Sequence, residues 1–221
     1  MTHFSVPSSM NMKYINYLSD QLGKESKNYL PSMELLFNSQ VIHNFKSLGY
    51  KIMIFNSGWV SPDDFTGVDV SMCKDKKPVN SVLLDAVARS SMIGYFVERW
   101  SEQEIRDRIL CTFSELPTIK DNYDEPVFVF AHILLPHPPN VFGPNGEKIT
   151  PGNPLNSEKW DEKLAYLDQL KFANKKSREV IDKLLENKEY QPIIILQSDH
   201  GSGFIDWRNP TNEMLNCHKT F

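Results

Sequence analysis

The sequence predicts an α/β fold in which a mostly parallel central sheet is flanked by helices on both faces, and three observations carry that expectation. The run Ile193 to Leu196 is contiguous and apolar, the pattern of a strand covered on both sides, and such strands belong to parallel sheets; Val127 to Leu135 is a second strong strand, broken only by Ala131-His132. Between them Trp160, Leu164, Leu167, Leu170, Val180, Ile181, Leu184 and Leu185 recur at helical spacing. Strand, helix and strand then form a right-handed βαβ crossover that puts both carboxyl ends on one edge of the sheet. A chain of 221 residues can bury a full core as one domain, here residues 1–221.

In chain order, Pro7-Ser8-Ser9 reads as a loop that caps a helix through Met10, Tyr14, Tyr17 and Leu18. A second helix is expected from Ser32, with Leu35, Leu36, Val41, Ile42 and Phe45 on one side and Gly49 as its stop. Tyr50 to Phe55 follows as a strand. From Asn56 to Pro78 the chain turns polar, with a turn at Ser61-Pro62-Asp63-Asp64 and a charged loop from Lys74 to Lys77, a surface excursion near the site. Helices are expected over Val82 to Val87 and over Ser101 to Phe113, the latter opened by the capping-box pattern Ser101-Glu102-Gln103-Glu104. Met92 to Trp100 continues a helix or belongs to a cap. The strand from Pro126 to Leu135 ends in Pro136-His137-Pro138-Pro139, and a loop with a turn at Gly143-Pro144-Asn145-Gly146 runs on to Pro154. Ser157 caps a long helix through Asn187, and Ile193 to Leu196 is the last strand.

Composition excludes several classes of function. Lys and Arg total 24 against 28 Asp and Glu, a net charge of −4 with no basic stripe, which argues against nucleic-acid binding. Cys73, Cys111 and Cys217 are odd in number and far apart, so they read as ordinary thiols and not as a disulfide framework or a zinc knuckle. No apolar run is long enough to cross a bilayer and the start has no signal-peptide pattern, so the chain as given is expected to be soluble. Both ends read as cut, since a motif-like segment follows Met1 at once and Lys219-Thr220-Phe221 closes no element. Glycine-rich phosphate loops and the G-x-S-x-G elbow are missing, which removes nucleotide-binding and α/β-hydrolase readings.

The chemistry falls at the carboxyl edge of the predicted sheet, where open α/β sheets place ligands. Asp199 and His200 follow the last strand and offer an oxygen and an imidazole nitrogen, donors suited to Zn²⁺ or Mn²⁺, while Gly201 lets the backbone turn beneath them. The bare pair also reads as an Asx-turn residue beside a satisfied histidine. His137 stands between prolines, so the chain itself positions its ring.

With these segments in place the chain resembles the sulfatase-like branch of the alkaline phosphatase superfamily, which includes arylsulfatases, phosphoethanolamine transferases and lipoteichoic acid synthases. The segment Thr2 to Met12, a threonine followed by a serine-rich turn and Met10-Asn11-Met12, is similar to the nucleophile segment of that branch. His132-Ile133-Leu134-Leu135-Pro136-His137-Pro138-Pro139 resembles its substrate-side histidine motif, with His137 the better match. Gln197-Ser198-Asp199-His200-Gly201 resembles its Ser-Asp-His-Gly metal motif.

The resemblance implies an alkaline phosphatase-like domain lacking its first strand, and with it an upstream acidic metal ligand. It implies a metal-dependent hydrolase or transferase of phosphate or sulfate esters, in which Thr2 is nucleophile and metal ligand. Asp199 and His200 would bind Zn²⁺ or Mn²⁺, with Ca²⁺ or Mg²⁺ as further options, and His137 would bind the anion or protonate the leaving group. The chemistry is coherent, because a metal and a helix amino terminus both favour the alkoxide form of an alcohol. The implied substrate is a small-molecule or lipid head-group ester. Membrane contact would come only through segments outside this chain, which would then be the extracytoplasmic domain of a membrane protein. Ser5-Val6-Pro7-Ser8-Ser9 lacks the arginine of the Cys/Ser-x-Pro-x-Arg sulfatase signature, which favours phosphate. The competing reading is a catalytically incomplete relative that keeps the fold as a binding or structural module.

Overall fold

The computed structural model describes residues 2–23, 26–74, 94–149, 162–186 and 191–201. Its sheet grows from an apolar tetrad: Lys51–Phe55 forms β1, and Ile52, Met53, Ile54 and Phe55 are almost completely buried. Alternation along the strand sends them to opposite faces. Ile52 and Ile54 join Val6, Met10, Leu36, Ile42 and Phe65 on one side, and Met53 and Phe55 join Ile119 on the other. A strand buried on both faces suits the middle of a parallel sheet. β2 (Val70–Met72) and β3 (Val127–Ala131) flank β1 in parallel, in the order β2-β1-β3. Met53 stands opposite Val70, and Lys51 through Phe55 stand opposite Val127 through Ala131.

Helices α1 (Thr2–Met10), α2 (Tyr17–Leu22), α3 (Leu30–Phe37) and α4 (Gln40–Ser47) precede β1, and α1, α3 and α4 supply the first face of the core. Asn11 ties three of them together: its Nδ2 donates to the carbonyls of Pro7 and Leu35, each at 2.8 Å, and its Oδ1 accepts the Gln40 N–H at 3.1 Å. After β2 come α5 (Gly94–Glu115), the short α6 (Ile119–Asn122) and, beyond β3, α7 (Glu162–Leu185). Ile109 and Phe113 of α5 pack with Phe172 and Val180 of α7 around Val141 and Phe142. The coarse expectation, an α/β chain with a parallel sheet and packed helices, is met. None of the described helices is long and apolar enough to cross a membrane.

Several elements depart from the sequence reading, each for a local reason. α1 begins at Thr2 and contains Pro7, which is not a cap. It ends where Asn11 takes the Pro7 carbonyl and Met12 turns to φ +51°. The single helix expected from Ser32 to Gly49 is two helices, because Ser39 takes extended backbone and its hydroxyl accepts the Ile42 N–H, a serine N-cap that restarts the helix. β2 arises inside the polar excursion because Asp69 faces β1 with both its backbone and its side chain. Its N–H reaches the Ile52 carbonyl at 2.9 Å and its Oδ2 accepts the Ile52 N–H at 2.8 Å. The strand expected to run to Leu135 stops at Ala131, where its five pairs with β1 run out. Ser101 lies inside α5 and does not cap it.

Two expectations are overturned. Ile193 to Leu196 is not a buried strand: residues 191–198 have no ladder partner among the described residues, and Ile193, Ile195 and Leu196 are 96%, 82% and 70% exposed. Among the described residues β3 ends the sheet instead of pairing with this stretch. Cys73 and Cys111 are not free thiols but a disulfide with Cα atoms 5.8 Å apart, joining the end of β2 to α5 across 38 residues of sequence. Spacing along a chain says nothing about which cysteines the packing brings together. The expected helix over Val82 to Val87, the helix start at Ser157 and Trp160, most of the Lys74 to Lys77 loop and Cys217 lie outside the described residues.

Candidate active site

The carboxyl ends of β1 and β3 set the site. The loop leaving β1 is folded by its own side chains: Asn56 Oδ1 accepts the Gly58 N–H at 2.9 Å and Ser57 Oγ accepts the Trp59 N–H at 3.1 Å. Gly58 sits at φ +79°, a backbone that side chains disfavour, and Arg108 of α5 donates to the Ser57 carbonyl at 3.3 Å. Trp59 is thereby presented edge-on to His132, the first residue past β3, with ring centroids 5.4 Å apart. His3 of α1 also meets the indole, its ring centroid 5.4 Å away, and is itself stacked on Tyr29 at 4.5 Å. The Nδ1 atoms of His3 and His132 are both buried and have no hydrogen-bond partner among the described residues, as is true of Ser5 Oγ one turn along α1 from Thr2.

Thr2 opens α1, and its Oγ1 donates to Asp199 Oδ2 at 2.7 Å across 197 residues of sequence. His200 Nε2 lies 3.5 Å from that same carboxylate oxygen. The other ring nitrogen of His200 shares a 2.7 Å hydrogen bond with the Gly201 carbonyl. A carbonyl can only accept, so Nδ1 is the donor in that bond and Nε2 is the nitrogen turned toward Asp199. A carboxylate oxygen beside an imidazole nitrogen is a donor pair that a divalent cation can share, and a backbone carbonyl on the far nitrogen is how metal-binding histidines are commonly oriented. Gln197 Nε2 reaches Ser9 Oγ at 3.4 Å, so residues 197–199 lie against α1.

Burial pushes the pKa of His132 below its ordinary 6.5; the Asp199 charge works against this, and His137 and His200 add to the depression. His137 itself is exposed, with its Nδ1 2.5 Å from the Pro138 carbonyl.

Two buried polar side chains hold the loop that carries His137. Arg106 of α5 lies over the Phe142 ring at 4.2 Å and gives its guanidinium N–H groups to the carbonyls of Val141, Gly146 and Glu147. Gln169 of α7 bonds the same loop through both ends of its amide.

The structure thus brings Thr2 and His200 together at Asp199 Oδ2, whereas His137, exposed on its loop, is joined to them by no hydrogen bond or ion pair among the described residues and shares with them only an electrostatic influence on His132. Among the described residues no three His, Cys, Asp or Glu side chains are grouped to hold an ion; Asp199 and His200 supply two such donors and the Thr2 hydroxyl a third of another kind. That oxygen, oxygen and nitrogen set fits a borderline divalent ion such as Zn²⁺ or Mn²⁺. Sequence reasoning ranked His132 behind His137 and gave no role to Trp59 or His3. His132 was legible as the residue that leaves the strand at the ligand-bearing edge, whereas Trp59 and His3 meet it only through the fold. No protein-family model, curated protein or solved structure matches the chain.

Proposed function

We propose that this chain is a metal-dependent hydrolase or transferase of phosphate or sulfate esters, with Thr2 as nucleophile and phosphate esters the favoured class. The observation that carries the reading is the 2.7 Å hydrogen bond from Thr2 Oγ1 to Asp199 Oδ2, with His200 Nε2 beside the same oxygen. A divalent ion held by Asp199 and His200 would supply charge that lowers the pKa of the threonine hydroxyl and polarises a phosphoryl oxygen.

The chain's own residues account for the remaining steps. Asp199 Oδ2 is placed to take the Thr2 proton as Oγ1 attacks phosphorus. The P–O bond to the leaving alcohol breaks as the bond to Oγ1 forms, and the departing oxygen takes its proton from a histidine at the site's edge, His137 in the exposed position. Thr2 is the first residue of α1, so the charge that develops there meets the positive end of the helix. Water or a second alcohol, giving its proton to His137, then attacks phosphorus; the P–Oγ1 bond breaks and Oγ1 takes back the proton held by Asp199, which restores the Thr2 hydroxyl. The disulfide between Cys73 and Cys111 supports an oxidising compartment, in keeping with an extracytoplasmic substrate such as a lipid head group.

Intact-mass spectrometry after incubation with a phosphodiester donor and Mn²⁺ or Zn²⁺ tests this. A phosphoryl adduct that maps to Thr2, is absent in Thr2→Ala, and leaves metal binding largely intact in that variant is the expected result. Turnover with the adduct on Ser5 or Ser8, or with none, would refute the nucleophile. No turnover on any phosphate or sulfate ester would instead favour a binding or structural module.

A further inference from the structure

The apolar stripe of α7 includes Ala165, Phe172, Ala173 and Val180, all buried, and helical spacing puts position 169 on the same stripe. That position is a glutamine with no exposed surface. Burying an amide is unfavourable unless its bonding capacity is met, and here it is met entirely by one loop. Gln169 Oε1 accepts the N–H groups of Val141 at 2.9 Å and Phe142 at 3.2 Å. Its Nε2 donates to the carbonyl of His137 at 3.1 Å and to Asn140 Oδ1 at 3.3 Å. Apart from an isolated bridge between Phe142 and Lys148, the loop has no ladder among the described residues to satisfy those groups. The His137 ring bonds the carbonyl of the very next residue, so the ring goes where the loop backbone goes.

We propose that Gln169 is a positioning residue for His137: through its amide hydrogens it fixes the backbone from which His137 meets the anionic end of the substrate. This rests on the ester-processing reading for the role of His137, but the placement of the ring by Gln169 stands or falls independently. The two ends of the amide separate the claim from a purely structural one. Gln169→Met removes all four bonds at similar volume. Gln169→Glu at a pH where it is ionised keeps acceptors for Val141 and Phe142 but sets an acceptor against the His137 carbonyl.

The test follows the ring Cε1–H resonances of His137 and His200 by NMR across a pH titration, then across a titration with inorganic phosphate in the presence of Mn²⁺-free Zn²⁺. In either folded variant the His137 resonance should move and change its titration curve while that of His200 stays in place. Phosphate affinity per folded molecule should fall on the order of tenfold to a hundredfold, the usual consequence of a small misplacement at a reacting centre. If Gln169→Met is too unstable to study, Gln169→Glu carries the test alone. An unchanged His137 resonance in the folded variant overturns the positioning role, whereas a shifted resonance with unchanged phosphate affinity upholds it and overturns the anion-binding role of His137. Absence of phosphate binding in the wild type counts against the ester-processing reading and leaves the resonance comparison to decide the positioning.

Discussion

Ile52 to Phe55 and Ile193 to Leu196 are the same kind of sequence, four contiguous apolar residues, yet the first is the most deeply buried strand of the molecule and the second lies exposed. The difference is in their neighbours. β1 has a parallel strand on each side and a separate apolar cluster on each face. The later stretch has no ladder partner among the described residues and is held beyond its apolar part, where Asp199 accepts the Thr2 hydroxyl. An apolar run therefore states a preference for burial, and only the rest of the fold supplies the pairing that satisfies it. What β1 contributes is the core, and what the later stretch contributes is its end, Asp199 and His200.

The strongest way to break this comparison is to truncate one residue in each run. Ile54→Ala opens a cavity in a filled core and should cost about 2–5 kcal/mol, whereas Ile195→Ala should lie within about 0.5 kcal/mol of the wild type. Urea denaturation of the two variants measures both. Comparable losses would mean that the Ile193 to Leu196 stretch is buried after all.

The disulfide offers the next largest effect, because it fastens β2 at the edge of β1 to α5, whose Arg108 holds the Ser57 to Trp59 loop. Cys111→Ser should lower stability by about 2–4 kcal/mol, the usual range for closing a loop of this kind. Thermal midpoints with and without reductant should show the same loss in the wild type and none in the variant. Insensitivity of the wild type to reductant would remove the disulfide from the account.

Much of this was legible in the sequence. β1 could be read because its apolar residues follow a glycine helix stop, and α7 as a helix from its spacing, though not its buried face: Leu164, Leu167 and Leu185 of the expected stripe are exposed, while Ala165, Gln169, Phe172 and Ala173 are buried with Val180. Asp199 and His200 could be read as a pair from residue type alone. Three things were not legible. β2 depends on the side chain of Asp69 reaching the backbone of Ile52, a contact with no periodic signature. The disulfide depends on packing between elements distant in the chain. His132 was overshadowed by His137 because proline-flanked residues stand out in a sequence, while burial is a property of the fold.

A smaller effect reports on His132. Its pKa is depressed chiefly by burial, so the unfolded chain binds the proton more readily than the folded one. Its stabilising share is complete above about pH 6.5. It is lost as pH falls from there through the lower folded value. Between pH 7.5 and 5.5 the wild type should therefore lose thermal stability more steeply than His132→Gln. Parallel curves would place His132 in solvent.

On the proposed reading, Asp199 and His200 beyond the Ile193 to Leu196 stretch complete a metal-activated nucleophile with the start of α1. Anomalous scattering from crystals soaked in Mn²⁺ locates the ion itself. One strong peak is expected within coordination distance of Thr2 Oγ1, Asp199 Oδ2 and His200 Nε2, lost in Asp199→Ala; an ion bound elsewhere, or a peak that survives that substitution, would refute the metal site.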